Sequence, residues 1–422
     1  VCLVNAWTVF GSTRIMTDYI FEDCEKLGFD RARLDAVPTF FQSYIEREKF
    51  AGMSISIARE GKIAMLSHQG RSALEGGFAL DDSAIFRIYS MTKPITSVAI
   101  MQLYEQSLIK LTDPITKFIP AFKDVKVFES GTAKSYTTRE PERMINIHDL
   151  LTHQAGLTYD FMFENAVDAL YRNNNINGAR SEKMTSAEMC NKLAEMPILF
   201  SPGTAWNYSV ATDVLGHIVE LVSGKTLDVY FKEHIFEPLG MVDSFFHIPD
   251  DKLERLMHNY SFDPLKRETK LADSPERTIY RPGRKFLSGG GGLLSTMEDY
   301  FKFADMIRRK GTGANGAYIV NRKTIEKMSS NQLPQNRTLE EHGHGQFTEV
   351  AYPGTGFGLG LSVVMNSGVT VSTTSNGATS WGGLASTIFW NDPVEDMTVI
   401  MMTQLMPAAT YPLRPQLSQL VY

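Results

Sequence analysis

Ser90-Met91-Thr92-Lys93 sets a hydroxyl three residues before an amine, where a strand-like segment gives way to an apolar helical one. Upstream, Ala84-Ile85-Phe86-Arg87-Ile88-Tyr89 reads as extended. Downstream, Pro94 to Leu108 carries Ile95, Val98, Ala99, Met101, Leu103 and Leu108 at helical spacing. Pro94 suits the first turn of a helix, where a missing N–H breaks no bond. Ser90 is therefore expected at the amino end of a buried helix, with Lys93 about one turn on and on the same face. A serine hydroxyl attacks a carbonyl once a neighbouring base takes its proton. The helix end supplies N–H donors and partial positive charge for a developing oxyanion. The chemistry on offer is acyl transfer through a serine ester. The same spacing recurs at Ser107-Leu108-Ile109-Lys110, where the helix frays into Leu111-Thr112-Asp113-Pro114, and there it reads as a surface coincidence.

The elements that must hold this pair follow from periodicity. Asp30 to Lys49 reads as an amphipathic helix through Leu34, Val37, Phe40, Phe41, Tyr44 and Ile45. Met53 to Ile57 alternates with period two, Glu60-Gly61 supplies a turn, and Ile63 to Leu66 resumes the alternation, a hairpin signal. From Ser90 to about Tyr280 the pattern is mostly helical, with helices at Ile147–His153, Ser186–Met196 and Ala211–Ser223. Asp124 to Arg143 is polar and reads as a loop. Strand character returns at Gly358–Val364, Ser386–Trp390 and Met397–Gln404, with Asn391-Asp392-Pro393 as a turn. The carboxyl-terminal strands would complete a sheet begun by the amino-terminal hairpin.

At 422 residues the chain exceeds one ordinary core and suggests two or three domains. A net charge of −6 without any basic run excludes the usual nucleic-acid binders. Cys2, Cys24 and Cys190 lack metal spacing and read as free thiols of a reducing compartment. No segment approaches the roughly 20 apolar residues of a bilayer span. Val1–Ile15 lacks a basic region and a small-residue cleavage site, so it reads as a disordered or cloning-derived tail, and a cytoplasmic location is expected. No cofactor is expected: Gly289 to Gly292 lack the strand-to-helix setting and the Lys-Ser/Thr pair of a phosphate loop. His342-Gly343-His344 has no Cys or carboxylate at ligand spacing, so no metal site is expected. A Gly-x-Ser-x-Gly elbow is absent, which argues against an α/β-hydrolase.

Four further segments carry a family resemblance. Leu150-Leu151-Thr152-His153-Gln154-Ala155-Gly156-Leu157 resembles the Leu-Leu-Thr-His-Thr-Ser-Gly-Leu block of the serine β-lactamase superfamily. Phe200-Ser201-Pro202-Gly203-Thr204-Ala205-Trp206-Asn207-Tyr208-Ser209 resembles its Pro-Gly-x-x-(aromatic)-x-Tyr-Ser block, and Ser288 to Thr296 its small-residue segment before a helix. Ser380-Trp381-Gly382-Gly383 stands where the family carries Lys-Thr-Gly. With the Ser90 motif, these blocks occur in the family's order from about residue 50 to the end. The chain most resembles the class C β-lactamase-like carboxylesterases, the family VIII esterases.

The resemblance implies an α+β fold of the β-lactamase/transpeptidase type, an antiparallel sheet flanked by helices plus an inserted, mostly helical domain. Residues 1–89 and 286–422 would form the sandwich, 90–285 the helical domain, with the site in the cleft between them. Ser90 would be acylated, and Lys93 and Tyr208 would share the general-base work. Tyrosine and lysine both titrate near pH 10 alone; setting a phenol against an ammonium favours the tyrosinate, partial burial disfavours the charged lysine, and the two titrate together, so the sequence does not assign the resting proton. The oxyanion would be held by the Ser90 N–H and one from the strand at Trp381-Gly382-Gly383, whose glycines permit close approach. Trp381 would wall the acyl pocket.

Rival residues have plainer readings. Tyr171-Arg172-Asn173 is a literal Tyr-x-Asn but lacks the Pro-Gly lead-in that precedes Tyr208. His148 and His153 share no helix face and read as packing or capping residues. Against β-lactamases stand Val210, where an Asn is usual, and Trp381, where a lysine would attract the β-lactam carboxylate. Losing such a charge-assisted contact costs on the order of 1.5–3 kcal/mol, roughly ten- to a hundredfold in binding. A neutral ester loses nothing. The expected activity is hydrolysis of short-chain acyl esters, with weak β-lactam hydrolysis as a side activity. A β-lactamase or D-amino-acid peptidase, an acyltransferase using the same acyl-enzyme, and a non-catalytic ligand-sensing relative are the alternatives. The expected partner is a small ester, with neither nucleic acid nor a transmembrane segment; oligomeric state is not written in the sequence.

Overall fold

A computed structural model describes residues 19–344 and 352–422, so the expected tail at 1–15 lies outside the described residues. The first helix, α1 (Arg31–Glu46), starts where the Asp30 side chain accepts the Arg33 N–H, and it buries Leu34, Val37 and Phe41. Two long strands follow, β1 (Gly52–Arg59) and β2 (Lys62–Ala73), with Gly61 at φ +75° in the turn between them. A short β3 (Gly76–Ala79) folds back on β2. Helix α2 (Thr92–Glu105) is buried on all sides from Thr92 to Leu103, its polar residues Thr96, Ser97 and Gln102 included. Helices α3 (Ala211–Ser223), α4 (Met297–Arg308) and α5 (Leu413–Val421) are the other long elements that frame the site.

Five more strands close the main sheet: β4 (Thr355–Phe357), β5 (Ser362–Val364), β6 (Thr379–Gly382), β7 (Ile388–Asp392) and β8 (Met397–Met402). The spatial order is β4-β5-β6-β7-β8-β1-β2-β3, with every neighbouring pair antiparallel. The amino-terminal hairpin thus pairs with the last strand, Ser54 opposite Met402 and Ile57 opposite Val399. Alternation sorts the side chains. Met53, Ile55 and Ile57 pack with Leu34, Val37 and Phe41 of α1 and with Leu413, Leu417 and Val421 of α5. Phe389, Ile400, Met402 and Trp381 face the other way, into a larger core that includes α2 and the helical residues. Each fully buried aliphatic side chain here contributes about 1.5–3 kcal/mol.

The structure corrects three sequence expectations. Asp124–Arg143 contains an antiparallel hairpin, Val127–Thr132 with Ser135–Arg139, whose second strand is exposed along its whole length. With no buried face there is no apolar alternation to read. The helical middle also holds the hairpin Asn259–Asp263 and Glu268–Asp273. Of the strand expected at Gly358–Val364 only Ser362–Val364 forms, as β5; residues 358–361 are the tight turn from β4, with Gly360 at φ +86°. A Cβ on Gly358 would lie 2.0 Å from the Met328 carbonyl, which a glycine alone avoids.

Candidate active site

Ser90 sits in a single 3₁₀ turn, Tyr89–Met91, that runs straight into α2. Tyr89 enters that turn at φ +42°, a left-handed conformation that costs of order 1–3 kcal/mol in a bulky residue. Its hydroxyl accepts the Asn259 Nδ2–H at 2.9 Å. Lys93, in the first turn of α2, is buried. Its Nζ donates to Ser90 Oγ at 3.2 Å and to the Gly290 carbonyl at 2.6 Å. Tyr208 lies just before α3, and its hydroxyl donates to Ser90 Oγ at 2.7 Å. The Lys93 ammonium also lies over the Tyr208 ring, 4.6 Å from its centroid. Hydroxyl, amine and phenol therefore converge at one point.

Two of the sequence blocks hold Tyr208 in place by pairing with each other. The Leu199 N–H donates to Gly156, that of Gly203 to Gln154, that of Asn207 to His153 and that of Val210 to Thr158. Gly156, at φ +77°, comes so close that a Cβ would meet the Phe200 carbonyl at 2.5 Å. His153 packs its ring 4.9 Å from that of Tyr208 and shares a hydrogen bond with Ser209 Oγ through Nδ1. Burial, aided by the Lys93 charge, holds its pKa well below the usual histidine value, so the imidazole beside Tyr208 is neutral. His342 spends Nε2 on Gln154.

The glycine run 289–292 fits between α2 and α3. The Gly289 carbonyl accepts the Thr96 hydroxyl, the Gly290 carbonyl accepts Lys93, and the Gly290 N–H donates to Asp213 Oδ1 at 3.0 Å. A Cβ on Gly290 would fall 2.6 Å from Asp213 Oδ2. Asp213 is buried on α3 and also accepts the Ser288 hydroxyl. Burial raises its carboxyl pKa, against those two bonds and the Lys93 charge. The sequence reading missed Asp213. Its one signal is a carboxylate in the first turn of an amphipathic helix, five residues after Tyr208.

Trp381, on β6, packs 5.4 Å from the Tyr208 ring and 5.3 Å from Phe357, centroid to centroid. Its Nε1–H is buried with no acceptor among the described residues. Gly383 is wedged against the chain two residues before the serine: a Cβ there would lie 2.4 Å from the Ile88 carbonyl. Its N–H donates to the Thr387 carbonyl at 2.7 Å, so it is spent and does not supply the oxyanion contact expected of it. The N–H of the following Leu384 makes no hydrogen bond among the described residues. Gly382, too, is a close approach, with the Arg414 Nη2 of α5 3.0 Å from where its Cβ would be.

Tyr208, Trp381, Gly382 and Gly383 open onto a cavity of about 370 Å³ that extends along β6 to the amino end of α5. Ser107 and Lys110 are exposed beyond the end of α2, and Tyr171 is fully buried. Among the described residues no helix is long and apolar enough to cross a membrane.

Comparison with known proteins places this geometry. A family model described as Beta-lactamase matches residues 37–421. Protein Rv1367c of Mycobacterium tuberculosis (strain ATCC 25618 / H37Rv) is 30% identical over 360 residues, 85% of this chain and 86% of that protein. Esterase EstB of Burkholderia gladioli is 28% identical over 386 residues, 88% and 90% of the two chains. The solved structure of EstCE1, titled a hydrolase with promiscuous acyltransferase activity, superposes with a TM-score of 0.75 at 24% identity, covering 94% of this chain and 99% of that one.

Proposed function

The chain belongs to the beta-lactamase family, and from that premise we propose that it is a serine carboxylesterase hydrolysing short-chain acyl esters through an acyl-enzyme on Ser90. The observation that carries the reading is the convergence of Tyr208 OH and Lys93 Nζ on Ser90 Oγ at 2.7 and 3.2 Å. Tyr208, as tyrosinate, takes the serine proton while Oγ attacks the ester carbonyl. The tetrahedral oxyanion rests on the N–H groups of Ser90 and Leu384. As the intermediate collapses, the Tyr208 proton passes to the leaving alkoxide. Water then attacks the acyl-enzyme with Tyr208 again as base. Lys93, as an ammonium beside the phenol, favours the tyrosinate. Its second bond, to Gly290, fixes the ammonium.

The division into a sandwich of 1–89 and 286–422 and a helical domain of 90–285 belongs to this reading, with the substrate in the cleft between them. So does a cytoplasmic location, in keeping with the free, buried thiols of Cys24 and Cys190. The acyltransferase alternative draws support from the likeness to EstCE1, a hydrolase with promiscuous acyltransferase activity, since an alcohol in place of water completes the same second step.

The test compares 4-nitrophenyl butyrate with the cephalosporin nitrocefin, using wild type and Ser90→Ala. Ester turnover lost in Ser90→Ala, with a fluorophosphonate adduct mapped to Ser90, is the expected result. Nitrocefin turnover far above ester turnover would replace the reading with a β-lactamase.

A further inference from the structure

The hairpin Asn259–Asp263 and Glu268–Asp273 has its base directly behind the nucleophile turn. Asn259 and Asp273 stand opposite each other on its two strands, and each grips the segment that leads into Ser90. Asp273 holds the fully buried Arg87: its Oδ2 accepts Nε at 2.8 Å and pairs with Nη2 at 2.6 Å. Asn259 holds Tyr89, its Nδ2 donating to the phenol oxygen at 2.9 Å. The Arg87 backbone is fixed as well. Its N–H donates to Gln404 Oε1 at 3.0 Å, and its carbonyl accepts Gln404 Nε2 at 3.0 Å.

Tyr89 is the strained link in this segment. The Ile88 N–H donates to the Leu293 carbonyl at 3.1 Å, and the Met91 carbonyl accepts the Tyr300 hydroxyl at 2.9 Å. Between those fixed points Tyr89 stands at φ +42°, a conformation that a bulky residue leaves unless its surroundings over-determine it. Asn259 ties down its side chain. The amide is itself buried, and its Oδ1 has no hydrogen-bond partner among the described residues. A leucine of similar size would bury no unmet acceptor there. Beyond a 3.6 Å contact with Met406 Sδ, the hydrogen bond that Asn259 makes through its side chain is the one to Tyr89.

The peptide joining Tyr89 to Ser90 orients two groups at once. Its N–H is the Ser90 donor to the oxyanion in the mechanism above. Its direction also sets where Oγ lies, 2.7 Å from the Tyr208 hydroxyl and 3.2 Å from Lys93 Nζ. A misplacement of about 1 Å in such a geometry can cost on the order of a hundredfold in rate.

We propose that Asn259 is a positioning residue: through the Tyr89 phenol it holds residue 89 in the left-handed conformation and so keeps Ser90 in line with Tyr208 and Lys93. The catalytic half of the inference rests on the acyl-enzyme reading of Ser90; the geometric half stands without it.

The test uses Tyr89→Phe, Asn259→Leu and the double variant. Each single change leaves one buried polar group without its partner, so melting should fall. The double variant replaces both partners with apolar groups of like shape, so melting should return to the wild-type value or exceed it. For 4-nitrophenyl butyrate, kcat per site titrated with a fluorophosphonate should fall about tenfold in all three variants, with KM within about threefold. Because both residues act through one bond, the double should be no more than about threefold slower than the slower single variant. A residue that served the fold alone would regain its rate together with its stability. Recovery of kcat in the double variant, multiplied losses in it, or a fall of less than about threefold in Tyr89→Phe overturns the inference. Tyr89→Phe, which removes one oxygen, carries the test if Asn259→Leu does not fold. Crystal structures of wild type and Tyr89→Phe judge the geometry without turnover. Residue 89 at positive φ in wild type and negative φ in the variant, with Ser90 Oγ beyond about 3.5 Å of the Tyr208 hydroxyl, supports the inference; an unmoved turn overturns it. A wild type that neither turns over the ester nor labels at Ser90 brings down the esterase reading alone, and the crystallographic comparison then decides.

Discussion

Tyr208→Phe removes one oxygen and little else, which makes it the sharpest probe of the proposed base. The ring keeps its neighbours His153, Trp381 and Tyr159, at 4.9, 5.4 and 5.2 Å, and Lys93 keeps its seat over the face. The lost hydrogen bond to Ser90 changes stability by only about 1 kcal/mol, so the thermal midpoint should move by no more than a few degrees. The rate should respond far more. The phenol oxygen lies 2.7 Å from Ser90 Oγ, against 3.2 Å for Lys93 Nζ, and the Gly290 carbonyl holds that amine at 2.6 Å. Lys93 cannot close on the serine without giving up its shorter bond. Loss of a positioned base costs roughly 10²- to 10⁴-fold, about 3–5 kcal/mol of barrier. The assay is kcat/KM for 4-nitrophenyl butyrate, with stopped-flow release of 4-nitrophenol separating acylation from deacylation. Both steps should slow, because one group serves both. A folded Tyr208→Phe within tenfold of wild type, beside a dead Lys93→Met, would move the base to Lys93 and refute the assignment.

Other variants probe the supports. Asp213→Ala leaves the Gly290 N–H and Ser288 hydroxyl buried without an acceptor; at about 1–3 kcal/mol for each such group, melting should fall by several degrees, and kcat/KM should fall with it as the Lys93 anchor loosens. Gly290→Ala drives a Cβ to 2.6 Å from Asp213 Oδ2 and should lower kcat more than it raises KM. Ser107→Ala, in the exposed second copy of the motif, should leave ester turnover unchanged, whereas Ser90→Ala should abolish it. His153 has a folded pKa depressed by burial and by Lys93, so below about pH 6.5 the unfolded chain takes up a proton that the folded chain refuses. Its contribution to stability is intact above that pH and is lost as pH falls, by up to about 1.4 kcal/mol per pH unit; denaturant titrations from pH 7.5 to 5 should show a shallower loss in His153→Gln.

Much of the candidate site was legible because it is local or because periodicity reports burial. Ser90 and Lys93 are one helical turn apart, and the apolar run after Pro94 declared a helix buried on all sides. Tyr208 came from its block, since nothing in the residue itself separates it from Tyr171. What escaped was long-range or faced water. The hairpin at Val127–Arg139 has no apolar alternation on its exposed strand. Asp213 matters through a glycine carbonyl far along the chain, a link no spacing rule carries. Gly383 looked like an oxyanion donor because glycine permits close approach; the close approach is there, but pairing with Thr387 has taken its N–H.

The position of β1 between β2 and β8 carries a consequence for how the molecule is made. On the ribosome the early hairpin must wait, with one edge of β1 open, until Met397–Met402 is synthesised. Such distant pairing is slow to form, and an exposed apolar strand edge invites strands from other chains. Nascent chains halted before Met397 should therefore aggregate or be captured by chaperones, whereas chains carried past Met402 should escape both fates.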